Sequence, residues 1–315
     1  MSAGPSLDDI QVAHRRIAPF IHRTPVMTCA ALDKMAGARL YFKCENLQKT
    51  GSFKIRGATN AILQLSAAEA ARGVVTQSSG NHAAAVSRAA AARGVAAHIV
   101  MPKNAPVVKV KAVEGYGGVI TFCEPTIEAR DAASRRLLEE TGGVMVHPYN
   151  DRRVIAGQGT AAIELLEDVP DLDMLLVPVS GGGLLSGNAV AATSLRPSVR
   201  VIGCEPANAD DAYRSLKSKH IEKNATTDTI ADGLRAQLCD LTFGIIRERV
   251  EEIARVTEQE IVEAMRLLWE RMKLVVEPSA AVALAPAIAR GIKADGKRVG
   301  VLISGGNVEL SSLPF

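Results

Sequence analysis

The chain has 315 residues, 47% hydrophobic and 23% charged, with a net charge of +3, the profile of a soluble globular protein with ample capacity for a core. The near-balanced charge argues against a nucleic-acid partner, and apolar runs such as MLLVPV (174–179) are strand-length, far short of a membrane span. MSAGPSLDDIQ at the N-terminus lacks the basic and apolar regions of a signal peptide, so a cytoplasmic location is expected.

The first informative stretch is KTGSFKIRGA (49–58), which places Lys54 after a Gly-Ser-Phe turn and at the head of an apparent helix. A nucleotide P-loop needs Gly, four residues, then Gly-Lys-Ser/Thr, and Lys54 is followed by Ile55, so that reading fails. Locally, a solvated surface lysine remains the plain reading. Ser66 and Glu69 then make a capping-box pattern. The strand GVVTQ runs into SSGNHAAAV, with Ser78, Ser79, Gly80 and Asn81 at the turn. Free amides and small hydroxyls at such a turn suit a carboxylate ligand, although Ser79 or Asn81 could equally be a simple N-cap.

Further along, AAHIVMP precedes APVVKVKAVEGYG, and GVITFCEP precedes TIEARDAASRRLLEETG. Gly73, Gly94 and Gly142 stand where the helices should stop. GQGTAA (157–162) resembles a nucleotide loop but follows no strand. VPVSGGGLLSG (177–187) takes an apolar strand through three glycines into a helix, a turn whose backbone amides and aligned dipoles favour phosphate. A rival reading treats Gly181 and Gly183 as a dinucleotide fingerprint, with Glu205 closing the next strand as the ribose-binding acid; Ser186 in place of the third glycine weakens it. VLISGGNVEL (301–310) is a third strand ending in glycines, with Ser304 at its mouth. Strand C-termini in open α/β sheets are where ligands bind, so three such turns predict one shared crevice.

The alternation of β-rich runs with alanine-rich helices predicts an α/β fold with mostly parallel sheets covered on both faces. The five cysteines, at 29, 44, 123, 204 and 239, form no Cys-x-x-Cys pair and are expected to be reduced and mostly buried. The six histidines show no metal-ligand spacing, which sets aside a His-based zinc hydrolase. On the residues alone, two classes stand open beside a phosphate-binding crevice of unassigned chemistry: an NAD-binding oxidoreductase built on the Gly181 turn, and a nucleotide-responsive regulatory protein without catalysis.

KTGSFKIRGA, SSGNHA, SGGGLLSG, MKLVVEPS and SGGNV, in this order, closely resemble the pyridoxal-phosphate enzymes of fold type II, within them the serine/threonine dehydratase and serine racemase group. The resemblance extends from RTPV at Arg23 to SGGNV. It implies a tryptophan synthase β-like fold of two open, twisted, mostly parallel sheet lobes flanked by helices, with a large cofactor-binding domain at 1–50 and 149–315 and a small domain at 51–148. Lys54 matches the lysine that forms the Schiff base with pyridoxal 5'-phosphate, and Phe53 the aromatic residue beside it. Asn81 matches the residue that bonds the cofactor's ring hydroxyl. Gly181, Gly182, Gly183 and Leu184 match the phosphate loop, and Ser304 the residue that meets the pyridine nitrogen. Ser78, Ser79, Gly80, Asn81 and His82 look like the loop that holds the substrate carboxylate.

The implied activity is β-elimination from L-serine or L-threonine to a 2-keto acid and ammonia. Ser79 stands where the racemase branch carries a serine that serves as acid or base on the cofactor face opposite the lysine, so serine racemisation is implied as well. EPANADD (205–211) resembles that group's divalent-cation site, with Glu205, the Ala209 carbonyl and Asp211 as ligands for magnesium, calcium or manganese. Related dehydratases of 3-hydroxyaspartate share SSGNH and an HPYND-like stretch, and Arg130 matches an arginine near the substrate that would meet a second carboxylate. Arg130 also reads as one of several charges on a solvated helix face. At HPYND, Tyr149 stands where animal serine racemases carry asparagine, which leaves nucleotide binding open. With the sequence ending at Phe315, no isoleucine-responsive regulatory domain is expected, and the resemblance implies a homodimer.

Overall fold

The computed structural model describes residues 4–315. Six strands form one sheet in the order β1-β2-β10-β7-β8-β9: β1 (Val26–Met27), β2 (Arg39–Cys44), β7 (Met174–Pro178), β8 (Arg200–Pro206), β9 (Glu252–Val256) and β10 (Arg298–Ile303). Only β1 runs antiparallel to its neighbour within this sheet. The second sheet, in the order β5-β4-β3-β6, is parallel throughout and comes from one stretch of chain: β3 (Val74–Gln77), β4 (Ala97–Pro102), β5 (Val119–Cys123) and β6 (Val144–Met145).

The larger sheet is apolar on both faces, Val177 and Leu175 packing to one side and Leu176 and Met174 to the other, as a sheet covered by helices requires. A third apolar cluster fills the smaller lobe around Val74, Ile99 and Met101. Local signals behave as the sequence implies. Ser66 and Glu69 form the capping box, and Gly73, Gly94 and Gly142 close their helices. The five cysteines are free, with Cys44, Cys123 and Cys204 buried.

GQGTAA lies inside the Arg152–Asp168 helix, and its glycines serve packing. A Cβ on Gly157 would stand 2.6 Å from the Arg56 carbonyl oxygen, and one on Gly187 would stand 2.3 Å from the Ile155 carbonyl oxygen. The Lys54–Leu63, Arg152–Asp168 and Gly183–Leu195 helices therefore stack backbone against backbone. Behind that stack, Arg56 is fully buried and clamps two carboxylates, Glu45 at 2.7 Å and Glu164 at 2.8 Å, while Lys43 holds Glu164 at 2.6 Å. A pair of cations with a pair of anions, each hydrogen-bonded, is the arrangement in which buried charge can be retained. It ties the helix that begins at Lys54 to the larger sheet.

Candidate active site

Lys54 is the first residue of its helix, and the last strand holds its approach. The Phe53 amide donates to the Ser304 carbonyl at 3.0 Å, the Gly306 amide donates to the Gly51 carbonyl at 2.9 Å, and Ser52 bridges Gly305. Half-buried, Lys54 donates from Nζ to the Pro148 carbonyl at 3.1 Å and lies 5.1 Å from the Phe53 ring centroid. Burial drives its amine down to about 8, against the opposing pull of Glu277. An amine in that range is partly neutral near physiological pH, which a proton-accepting or nucleophilic lysine needs.

The β3 turn supplies the facing wall. Ser78, Ser79, Gly80 and Asn81 are all half-buried at the head of the Asn81–Arg93 helix, and Ser78 Oγ accepts from the Gly80 amide at 3.3 Å. Asn81 is fixed from both ends. Its Nδ2 donates to the two Glu277 carboxylate oxygens at 2.8 and 3.1 Å, and its Oδ1 accepts from Asn307 at 2.8 Å. Glu277 is 4% exposed, and burial followed by the charge of Asp232 pushes its carboxyl up to about 7. Next along, His82 bonds the Val146 carbonyl through Nε2 at 2.9 Å, and its buried Nδ1 has no partner among the described residues. Burial and then the Lys54 charge hold His82 down to about 3 and His147 to about 4, so both imidazoles are neutral.

The third wall is the glycine loop at 181–184, immediately after β7. A Cβ on Gly181 would penetrate the Tyr149 ring, at 2.3 Å from Cδ1, and Gly182 has φ +88° with Thr242 Cβ 2.7 Å from its Cβ position. Thr242 Oγ1 donates to the Gly181 carbonyl at 2.8 Å, which leaves the loop amides as the groups to meet an anion. Leu184 is buried in the core behind the loop, and Ser304 is 3% exposed at the end of β10. The donor set fits pyridoxal phosphate: a side-chain-free loop at a helix N-terminus, a lysine of lowered pKa, a doubly held Asn81 and an orphaned His82 nitrogen.

The remaining expected residues lie outside this cluster. Glu205 and Asp211 are each 1% exposed, and Glu205 accepts from the Ala212 and Tyr213 amides at 3.3 and 2.6 Å. That commits Glu205 to the Asp211–Ser218 helix and removes the acid from the dinucleotide reading. Asp211 accepts from Asn224 at 2.9 Å and the Leu238 amide at 3.0 Å. Burial raises both carboxyls, Asp211 to about 6. Asp210 pairs instead with Arg214 and Arg255 at 2.7 and 3.0 Å. Among the described residues, no group of three or more His, Cys, Asp or Glu side chains is placed to hold a metal. Arg130 lies near the start of the Ile127–Thr141 helix, which follows β5, half-buried with Nε unpartnered.

Several site residues carry no role on sequence grounds alone: Glu277, Asn307, His147 and the Pro148 carbonyl. MKLVVEPS and SGGNV contain two of them, yet nothing in a linear sequence distinguishes a buried glutamate facing Asn81 from an exposed one.

Fold and crevice together define an enzyme of the pyridoxal-phosphate, fold type II class. The chain belongs to the family of pyridoxal-phosphate-dependent enzymes, whose model matches residues 17–305. Among curated relatives, it is 50% identical over 312 residues to the serine racemase of Dictyostelium discoideum, covering 98% of this chain and 96% of that one. It is 49% identical over 311 residues to the beta-hydroxyaspartate dehydratase of Paracoccus denitrificans, covering 99% of each. Among solved structures, maize serine racemase superimposes with a TM-score of 0.96 at 48% identity, over 98% of this chain and 95% of that one. No helix among the described residues is long and apolar enough to cross a membrane.

Proposed function

We propose that the chain is an ammonia-lyase that converts L-serine or L-threonine to a 2-keto acid and ammonia, with serine racemase activity at the same site. The observation that carries this reading is the half-buried Lys54, its amine lowered to about 8, bonded to the Pro148 carbonyl next to the Tyr149 that packs on Gly181, and near enough to His82 for its charge to lower that imidazole. Pyridoxal phosphate, when bound, supplies the electron sink for carbanion chemistry at the substrate's Cα. Lys54 is the covalent anchor for that group and, once released, the base at Cα. The 181–184 amides hold phosphate, Asn81 and Ser304 orient the ring, and Phe53 packs beside it. The substrate carboxylate rests on the 78–82 turn. Ser79, on a different loop from Lys54, is the second acid or base and makes racemisation available. Loss of the β-hydroxyl completes elimination.

A second reading, dehydration of 3-hydroxyaspartate to oxaloacetate and ammonia, is favoured by the 49% identity to the Paracoccus denitrificans enzyme. Arg130, by the resemblance, is one candidate to meet the second carboxylate. Glu205, the Ala209 carbonyl and Asp211 are proposed to hold magnesium, calcium or manganese: two buried carboxylates, both raised by burial and neither in a salt bridge among the described residues, fit a hard divalent ion. The small domain is proposed at 51–148, supported by the separate β3–β6 sheet, and a homodimer in the cytoplasm is the proposed working form.

Borohydride reduction followed by peptide mapping, paired with keto-acid and D-serine assays, tests the central assignment. Label fixed on Lys54 and loss of multiple turnover in Lys54→Ala are expected. Ser79→Ala should retain elimination from L-serine while losing attack on D-serine. Steady turnover by Lys54→Ala would refute its role as base, and equal loss of both reactions in Ser79→Ala would reduce Ser79 to a binding group.

A further inference from the structure

Lys109, in the Val107–Gly115 helix, reaches from the smaller lobe to form an ion pair with Asp232, in the Asp232–Leu234 turn of the larger lobe. The lysine side chain is 19% exposed and the aspartate 41%, so the cation is the more enclosed partner. Its Nζ lies 3.6 Å from the position of a Cβ on Gly80, which puts the ammonium over the 78–82 turn. Lys109 and Asp232 also act on Glu277 with opposite sign, the aspartate raising and the lysine lowering its carboxyl. Both charges therefore sit within electrostatic reach of the residue that holds Asn81. An ammonium carries three donors, and Asp232 accepts from it with its partly exposed carboxylate.

We propose that Lys109 is a specificity-determining residue that receives the side-chain carboxylate of a dicarboxylic hydroxy amino acid, exchanging Asp232 for the substrate. A monocarboxylic substrate leaves the pair in place. The inference rests on the reading of the crevice as a site for hydroxy amino acids. It accounts for an enclosed cation beside a loop that already offers amides and hydroxyls to the α-carboxylate: the crevice then has one recognition group for each carboxylate. A clasp that only joined the lobes would weigh on every substrate alike, and loss of either partner would act in the same direction.

The test uses the holoenzyme, with keto-acid release measured on L-serine and on 3-hydroxyaspartate. Lys109→Met should lower the ratio of kcat/KM for hydroxyaspartate to that for serine on the order of ten- to a hundredfold, the weight of one charge-assisted hydrogen bond. Lys109→Arg should restore most of the ratio. Asp232→Asn, which removes the competing carboxylate, should raise it. Equal changes on both substrates in Lys109→Met and Asp232→Asn would overturn the assignment, as would a ratio that falls in Arg130→Met and not in Lys109→Met. An active parent that does not use hydroxyaspartate overturns this inference alone; a parent inactive on both substrates overturns the hydroxy amino acid reading with it.

Discussion

Glu277 shows how one buried carboxyl can set the behaviour of its neighbours. In the unfolded chain it ionises near 4.5, and in the fold near 7. Between those values the folded state holds the extra proton, so Glu277 contributes stability fully below about pH 4.5 and loses it as pH rises through 7. A shift of that size corresponds to on the order of 3 kcal/mol. Glu277→Gln should therefore flatten the fall in denaturant midpoint between pH 5 and pH 7.5; an unchanged fall would mean that Glu277 keeps its ordinary ionisation. The glutamine retains one acceptor for Asn81 Nδ2, so the variant reports mainly on charge. Lys54 titrates with the opposite sense: its lowered value makes stability rise between about pH 8 and 10.5, a window separate from that of Glu277.

At the scale of the element, strand-turn-helix units fix the 78–82 and 181–184 walls, and their turns are legible in the sequence. The glycines of SGGGL announce themselves, because a strand running through three glycines into a helix demands such a turn; SSGN and the helix head at Lys54 gain meaning only from their order along the chain with the other motifs. Gly182 is the sharpest case, with φ +88° and Thr242 against its missing side chain. Gly182→Ala should cost at least about 1 kcal/mol in backbone strain alone and weaken cofactor affinity; a melting temperature and affinity equal to the parent's would remove the loop from the phosphate-binding role. Less legible were the partners supplied from far along the chain. Glu277 meets Asn81 and Asn307 meets Thr50 across separations that periodicity and capping rules do not reach. Tyr149 stands out in HPYND by its place in the resemblance, but its contact with Gly181 is not legible there, because it joins segments distant in the chain. GQGTAA follows no strand, and its glycines serve the backbone contact of three helices, which no local pattern encodes.

At the scale of the whole molecule, the buried pair Glu205 and Asp211 lies behind the glycine loop and connects to it through the 238–242 segment. Asp211 accepts the Leu238 amide, Leu238 packs against Gly182, and Thr242 bonds the Gly181 carbonyl. A divalent ion at a hundred times its dissociation constant would add about 2.7 kcal/mol to the folded state. Chelation should therefore lower the melting temperature of the parent, and Asp211→Ala should lose that response. If chelation changes neither melting temperature nor turnover, the cation assignment should be dropped.

The order β1-β2-β10-β7 places the strand latest in sequence between two made long before it. For a chain growing from its N-terminus, β2 and β7 emerge with a vacancy between them that waits for residues 298–303. Ser304 and Gly305, which fasten Phe53 and Ser52, arrive only then. The lysine proposed as catalytic is thus synthesised early and framed late: assembly of the sheet acts as a timer, and an incomplete polypeptide carries Lys54 without the strand end that aims it.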